Sequence, residues 1–254
     1  MTGLTSRENL RASAAEFIAT FTFVFVGVGS IGAARVLEIT STAAFLGVVG
    51  LGHGLGIMLG VMTVGRISGA HLNPAVTFAA WVTGNIGAVR GAMYVVAQLV
   101  AAALAVGALR LWAFDADALG AHGLGIGVNG GEGFVLEIIL TFFLVFTIFA
   151  MAIDGRGNAT LAPIAIGMTV AVVHFVAIPL TGASVNPART FGPALVYGAW
   201  ADHWLYWAGP LIGGSIAGVA YVWLFGDENA RQRLFKPYIS EPEARPSGPR
   251  SQLA

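Results

Sequence analysis

The sequence contains no cysteine. That excludes disulfides, thiolate metal sites and thiol catalysis, and it leaves the redox compartment undetermined. Charge is almost as scarce: Asp, Glu, Lys and Arg make up 10% of 254 residues and cancel to a net charge of zero, so nothing points to nucleic acid or an acidic partner. Enzyme signatures are missing too. No His-Glu-x-x-His occurs, and Gly182-Ala-Ser-Val-Asn186 lacks the second glycine of a nucleophile elbow. An enzyme is a poor reading, and no cofactor or metal is expected.

What is abundant is apolar. Hydrophobic residues reach 56%, mean hydropathy is +0.78, and there are 35 glycines. A soluble domain of this length does not tolerate that balance, so the chain reads as an all-α integral membrane protein whose first solvent is the lipid bilayer. Runs long enough to cross a bilayer lie near 12–35, 42–64, 88–112, 133–153, 160–180 and 203–225. The first is too long for a signal-peptide core and reads as a retained span.

Two short stretches interrupt this series. Ser68-Gly-Ala-His-Leu-Asn-Pro-Ala-Val-Thr77 follows the second run, and Thr181-Gly-Ala-Ser-Val-Asn-Pro-Ala-Arg-Thr190 follows the fifth. In each, Asn (Asn73, Asn186) suits an N-cap, Pro (Pro74, Pro187) the first helical position, and Ala (Ala75, Ala188) continues the turn. From Pro187 the apolar pattern lasts only to about Tyr197, which at 1.5 Å per residue is roughly 15 Å, half of a ~30 Å hydrocarbon core. These are half-helices. Glu16-x-x-x-Thr20 in the first run recurs as Glu137-x-x-x-Thr141 in the fourth, so the repeat covers whole halves, about 11–112 and 133–226. A three-span repeat is odd, so the second copy runs inverted. The expected fold is six transmembrane helices plus two re-entrant half-helices that enter from opposite faces and meet near the midplane, where non-helical backbone is tolerated beside a wet cavity.

Arginine and lysine set the orientation. With both termini cytoplasmic, Arg7, Arg11, Arg66, Arg90, Arg156, Arg231, Arg233, Lys236, Arg245 and Arg250 face inward against Arg35 and Arg110 outside. Residues 1–10 then form an N-terminal cytoplasmic segment and 113–132 an extracellular connection holding Asp115, Asp117, His122 and Glu132. Residues 227–254 read as a disordered cytoplasmic tail. Trp200, Trp204, Tyr206 and Trp207 fit an aromatic belt at the outer interface. Gly52, Gly56 and Gly60, and Gly209, Gly213, Gly214 and Gly218, read as helix contacts.

Gly-Ala-His-Leu-Asn-Pro-Ala-Val and Gly-Ala-Ser-Val-Asn-Pro-Ala-Arg, with the paired Glu-x3-Thr spans, resemble the aquaporin (major intrinsic protein) family over about residues 10–226. The resemblance implies a pore within each monomer, a homotetramer, and passive permeation of water or small neutral solutes. Thr190 after the second Asn-Pro-Ala-Arg, with Tyr206-Trp207 early in the last span, matches the water branch rather than the glycerol facilitators. By the same resemblance His53, His174, Ala183 and Arg189 occupy the selectivity-filter positions. His53 is similar to the plant vacuolar branch, in which some members carry a loop histidine near the place of His122 and pass ammonia. The cell (inner) membrane is the expected location, with a vacuolar-type membrane as the alternative.

The residues themselves support roles. Asn73 and Asn186 would hold a passing water oxygen with their amide donors and break a continuous proton wire. Arg189, charged within an apolar segment, is expected to face the cavity. Glu16 and Glu137 read as acceptors for loop N–H groups, with Gln98 beside them, and the competing reading is a proton relay. At the level of function, a channel also passing ammonia or hydrogen peroxide stays open, as does an inverted-repeat secondary transporter, which would need a core residue to bind a driving ion.

Overall fold

The computed structural model describes residues 6–111 and 118–234, and among these it is helical without a strand. Asp115 and Asp117, most of the tail with its Lys236, Arg245 and Arg250, and residues 1–5 lie outside the described residues. Six helices are long and apolar enough to cross a membrane: α1 (Arg7–Val36), α2 (Thr42–Ser68), α4 (Ala88–Arg110), α5 (Gly130–Ile148, prolonged by a π turn Phe149–Ile153), α6 (Ala162–Thr181) and α8 (Leu205–Phe225). Between them lie two short helices, α3 (Pro74–Val82) and α7 (Pro187–Tyr197), and a final turn, α9 (Glu228–Arg233). The apolar runs mark the spans, and caps set their ends. Helix α1 starts at Arg7 because the Ser6 hydroxyl accepts the Asn9 N–H, so residues 7–10 of the expected N-terminal segment are helical. Helix α5 begins before its apolar run because Asn129 and Glu132 form a capping box. Glu132 therefore belongs to the first turn of a helix rather than to the connection. The expected irregular tail likewise opens with helix α9, capped by Asp227.

The packing follows the repeat. Helix α1 lies on α2 and α4, as α5 lies on α6 and α8, while α2 and α6 join the halves. Each half-helix packs against the last span of the other half, α3 on α8 and α7 on α4. The α2–α6 crossing depends on a contact between backbones: a Cβ built on Gly54 lies 2.6 Å from the Gly167 carbonyl oxygen, and one on Gly167 lies 2.6 Å from that of Gly54. The glycines spaced by four serve other seams, Gly52 against Ser30 and Gly56 against Phe23 on α1.

At one end of the bundle Arg90 reaches Glu8 (2.8 Å) and Asn9 (2.7 Å), and Arg156 clasps Asp154, whose carboxylate also accepts the Tyr221 hydroxyl at 2.9 Å. Arg7, Arg11, Arg66, Arg231 and Arg233 belong to helix ends on this side, whereas Arg35 and Arg110 end helices on the other. Trp200 and Trp204 are exposed near that second end, as a belt requires. Tyr206 is not part of it. Its ring is fully buried and its hydroxyl donates to the Thr181 carbonyl at 2.9 Å, because the first turn of α8 faces the second loop rather than lipid.

Candidate functional site

Each half-helix is reached through a loop of unusual backbone. Gly69 and Gly182 end α2 and α6 at φ 90° and 81°, the left-handed region that glycine enters without strain. Ala70, Leu72, Ala183 and Val185 also have positive φ, from 46° to 60°, and for β-branched Val185 that is a costly conformation. A buried carboxylate in each half holds it. Glu16 accepts the N–H groups of His71 (2.8 Å) and Leu72 (2.7 Å), the Ser68 hydroxyl (2.7 Å) and the Gln98 amide (2.9 Å). Glu137 accepts the N–H groups of Ser184 (3.0 Å) and Val185 (2.8 Å) and the Thr181 hydroxyl (2.8 Å). Both glutamates are fully buried. Both glutamates thus stand as acceptors of loop N–H groups, whereas Gln98, expected to act likewise, donates instead, to Glu16 and to the Thr77 hydroxyl oxygen (3.1 Å), because the carboxylate beside it can only accept.

The loops deliver the two half-helix N-termini tip to tip. Asn73 caps α3 by accepting the Ala75 N–H (2.8 Å), and Asn186 caps α7 by accepting that of Ala188 (3.0 Å). Each amide then donates across the join: Asn73 Nδ2 to the Val185 carbonyl at 2.8 Å, and Asn186 Nδ2 to the Leu72 carbonyl at 2.9 Å. An amide nitrogen carries two hydrogens, so one donor remains on each side. Pro74, Ala75, Pro187 and Ala188 fill the first turns and are buried behind the asparagines. A cavity of about 330 Å³ reaches Asn73 from the end that carries Arg90, lined by His71, Tyr94, Ile57, Leu144 and Ile166 among others.

On the other side of the asparagines the expected filter residues converge. Arg189 is buried, its Nε donating to His53 Nε2 at 3.2 Å and its Nη1 to the Gly120 carbonyl, with His122 Nδ1 at 3.4 Å. The His53 and His174 rings stack with centroids 4.3 Å apart. Both have Nδ1 on the carbonyl four residues back, Val49 and Val170, each at 2.8 Å. A carbonyl only accepts, so Nδ1 carries the hydrogen and Nε2 is a bare acceptor in both. His53 spends that acceptor on Arg189, while His174 Nε2 is buried with no protein partner. Ala183 is buried in the loop just before Asn186. His122, placed by sequence in an outer connection, is 9% exposed: Leu119, three residues before it, is anchored in the core, and Gly125 N–H donates to the Leu180 carbonyl at 2.8 Å. Burial, with Arg189 alongside, holds the His122 imidazole well below its ordinary pKa, so it is neutral.

Several residues of this site escaped the sequence reading. Tyr94 mirrors Tyr206: both are buried, and Tyr94 donates to the Ser68 carbonyl at 2.7 Å as Tyr206 does to Thr181. Thr77, His71 and the Gly120 carbonyl are the others, while the sequence reading has Thr190 and Tyr206 only as marks of the water branch and, for Tyr206, of the belt. The tyrosines were discoverable, since they follow Asn73 by twenty-one residues and Asn186 by twenty, had the self-alignment been carried into the third span of each half. The Gly120 carbonyl had no sequence signal.

Comparisons with known proteins identify relatives of the chain. A model of the major intrinsic protein family matches residues 3–221. The chain is 46% identical to a protein named "Probable aquaporin TIP-type" from Medicago truncatula over 225 residues, 87% of this chain and 89% of that protein. It is 42% identical to "Aquaporin TIP4-4" from Zea mays, covering 89% and 90%. Among solved structures, the aquaglyceroporin from Plasmodium falciparum superposes with a TM-score of 0.73 at 21% identity over 89% of this chain and 98% of that one, a likeness of fold.

Proposed function

This chain belongs to the major intrinsic protein family, and from that premise we propose that it is a passive water channel with a pore inside each protomer. The observation that carries the reading is the reciprocal pair of bonds at the join, Asn73 to Val185 and Asn186 to Leu72. It leaves two amide donors and two half-helix N-termini at the centre of a six-span bundle. Each N-terminus is worth about +0.5 charge. At an effective dielectric of ~20 and ~5 Å, the two ends oppose a cation by roughly 3 kcal/mol, before its dehydration is counted. Neutral water is almost untouched by that field, and its oxygen is held with both hydrogens pointing away, which breaks a proton wire.

Arg189, His53, His174 and Ala183 form the outer constriction in this reading, with His122 as its fifth wall. The buried acceptor on His174 is what a passing solute's hydrogen would meet. A second reading, permeation of ammonia or hydrogen peroxide beside water, is favoured by the placement of His122 against Arg189. A secondary transporter is disfavoured, because Glu16 and Glu137, the carboxylates buried in the spans, are both occupied by loop donors. We assign both termini to the cytoplasm, the protein to the cell or a vacuolar-type membrane, and the assembly to a homotetramer.

Stopped-flow shrinkage of reconstituted vesicles tests this directly, with sucrose, glycerol, urea and ammonium gradients in turn. Water flux well above protein-free vesicles, with low glycerol flux and no proton current, is expected. Flux that saturates or needs a sodium or proton gradient would overturn it.

A further inference from the structure

The two halves of the protein contain the same three-residue arrangement, but in the second half one member comes from a different part of the chain. In the first half Tyr94 pins the Ser68 carbonyl, its ring meets the His71 ring at 5.3 Å, and His71 Nδ1 lies 3.1 Å from Thr77 Oγ1. The Thr77 hydroxyl donates its only hydrogen to the Asn73 carbonyl at 3.0 Å, so His71 is the donor in that pair. In the second half Tyr206 pins the Thr181 carbonyl, its ring meets the His122 ring at 5.0 Å, and His122 Nδ1 lies 2.9 Å from Thr190 Oγ1. Thr77 and Thr190 are repeat partners. His71 and His122 are not. The repeat partner of His71 is Ser184, which reaches Thr190 at 2.5 Å without filling the place against the tyrosine. The outer connection supplies the imidazole that the second loop lacks.

This matters for the constriction because the same piece of connection holds Arg189. Its Nη1 donates to the Gly120 carbonyl and lies beside His122, so whatever seats His122 also sets the position of the guanidinium. A glycine in front of the imidazole leaves it room: a Cβ built on Gly182 lies 2.7 Å from His122 Cδ2. The ring also meets that of Tyr206, tilted by 35°. No other aromatic ring contacts it among the described residues.

We propose that Tyr206 is a positioning residue of the outer constriction, acting through His122: its ring is the shelf on which the outer connection docks, and its hydroxyl holds the start of the second loop. The inference rests on the water-channel reading and adds what sets solute ranking at that site. In the first half the same device stays within one repeat, with Tyr94 from α4 and His71 from the first loop. Loss of the shelf at Tyr206 frees His122, releases the Gly120 carbonyl from Arg189 and widens the constriction.

A double-mutant cycle in reconstituted vesicles tests it, with the ratio of urea to water permeability as the readout. Tyr206→Leu is expected to raise that ratio by about threefold or more in the wild-type background, the low end of coupling between neighbours, and by less than about twofold where His122→Ala is already present. Tyr206→Phe, which keeps the shelf and removes only the hydroxyl, restores a ratio near wild type. Thr190→Val cuts the His122 contact from the other side and should raise the ratio as Tyr206→Leu does, which also covers a Tyr206→Leu chain that fails to insert. Equal effects of Tyr206→Leu in both backgrounds, or an unchanged ratio in Thr190→Val, would overturn the proposal while leaving the channel reading intact. Wild-type vesicles no more permeable to water than protein-free ones would overturn both.

Discussion

Replacing Glu137 by glutamine separates the holding role of this carboxylate from a proton-relay role. The change is nearly isosteric, so no cavity is created. Glu137 takes two donors on one oxygen, Thr181 Oγ1 and Ser184 N, and one on the other, Val185 N. A glutamine can match only one oxygen. Placed to keep the pair, its amide points N–H at N–H of Val185, losing a charge-assisted bond of about 1.5–3 kcal/mol. That bond is also what holds Val185 at φ 46°, and a strained residue of this kind stores roughly 1–3 kcal/mol. The seated loop therefore loses on the order of 3 kcal/mol, about a hundredfold in population at 1.4 kcal/mol per factor of ten. The Asn186 tip, two residues on by way of Val185, follows the loop. Stopped-flow water permeability per reconstituted Glu137→Gln protomer should fall at least about tenfold, with no loss of helical circular dichroism and no proton current appearing or disappearing. A variant retaining wild-type water flux, or one that abolishes a proton current present in the wild type, would refute the holding role.

Other outcomes follow from the same geometry. Arg189→Val removes a fixed cation that at ~5 Å and an effective dielectric of ~20 opposes a passing cation by roughly 3 kcal/mol; glycerol and urea fluxes should rise several-fold and a proton current should become measurable in vesicles loaded with a pH dye. Gly54→Leu pushes a side chain into the Gly167 carbonyl, and the protein should fail to yield a monodisperse peak in detergent, whereas Gly107→Ala, with open space at its Cα, should behave as wild type. Arg156, chiefly through its side-chain bonds, holds the Asp154 carboxyl below its ordinary range. A depressed pKa means stability that is present above the unfolded value and lost only as pH falls through the folded one. The clasp should thus contribute constantly from pH 8 to about 5 and fade below ~4; Asp154→Asn should lower the thermal midpoint by a constant amount over the upper window, and a difference that vanishes at pH 6 would contradict this. Mercuric ion should leave water permeability unchanged, since Ala183 stands in the second loop and the chain has no cysteine.

Much of this protein was legible from one dimension. Hydropathy gave six spans because lipid demands about twenty apolar residues and internally satisfied backbone, and that requirement is local. The Asn-Pro-Ala pairs announced half-helices for an equally local reason: a cap and a proline act on the turn that follows them. The Glu16 and Glu137 echo revealed the inverted repeat because both halves solve one problem, how to satisfy the N–H groups of a left-handed loop inside a membrane. What proximity in space decided could not be read this way. Gly54 and Gly167 meet because two halves cross there; Gly54 follows Gly50 by four, but nothing in that spacing names Gly167 as the partner. Tyr206 was expected in an interfacial belt on the strength of neighbouring tryptophans, yet the rotation of α8 turns it inward onto His122. His122 itself belongs to a loop with no period, and only the packing of Leu119 and the join to Leu180 bring it to Arg189. Periodic patterns and caps report how a segment meets solvent or lipid; which aperiodic residue closes a constriction depends on where the loops are carried by the helices around them.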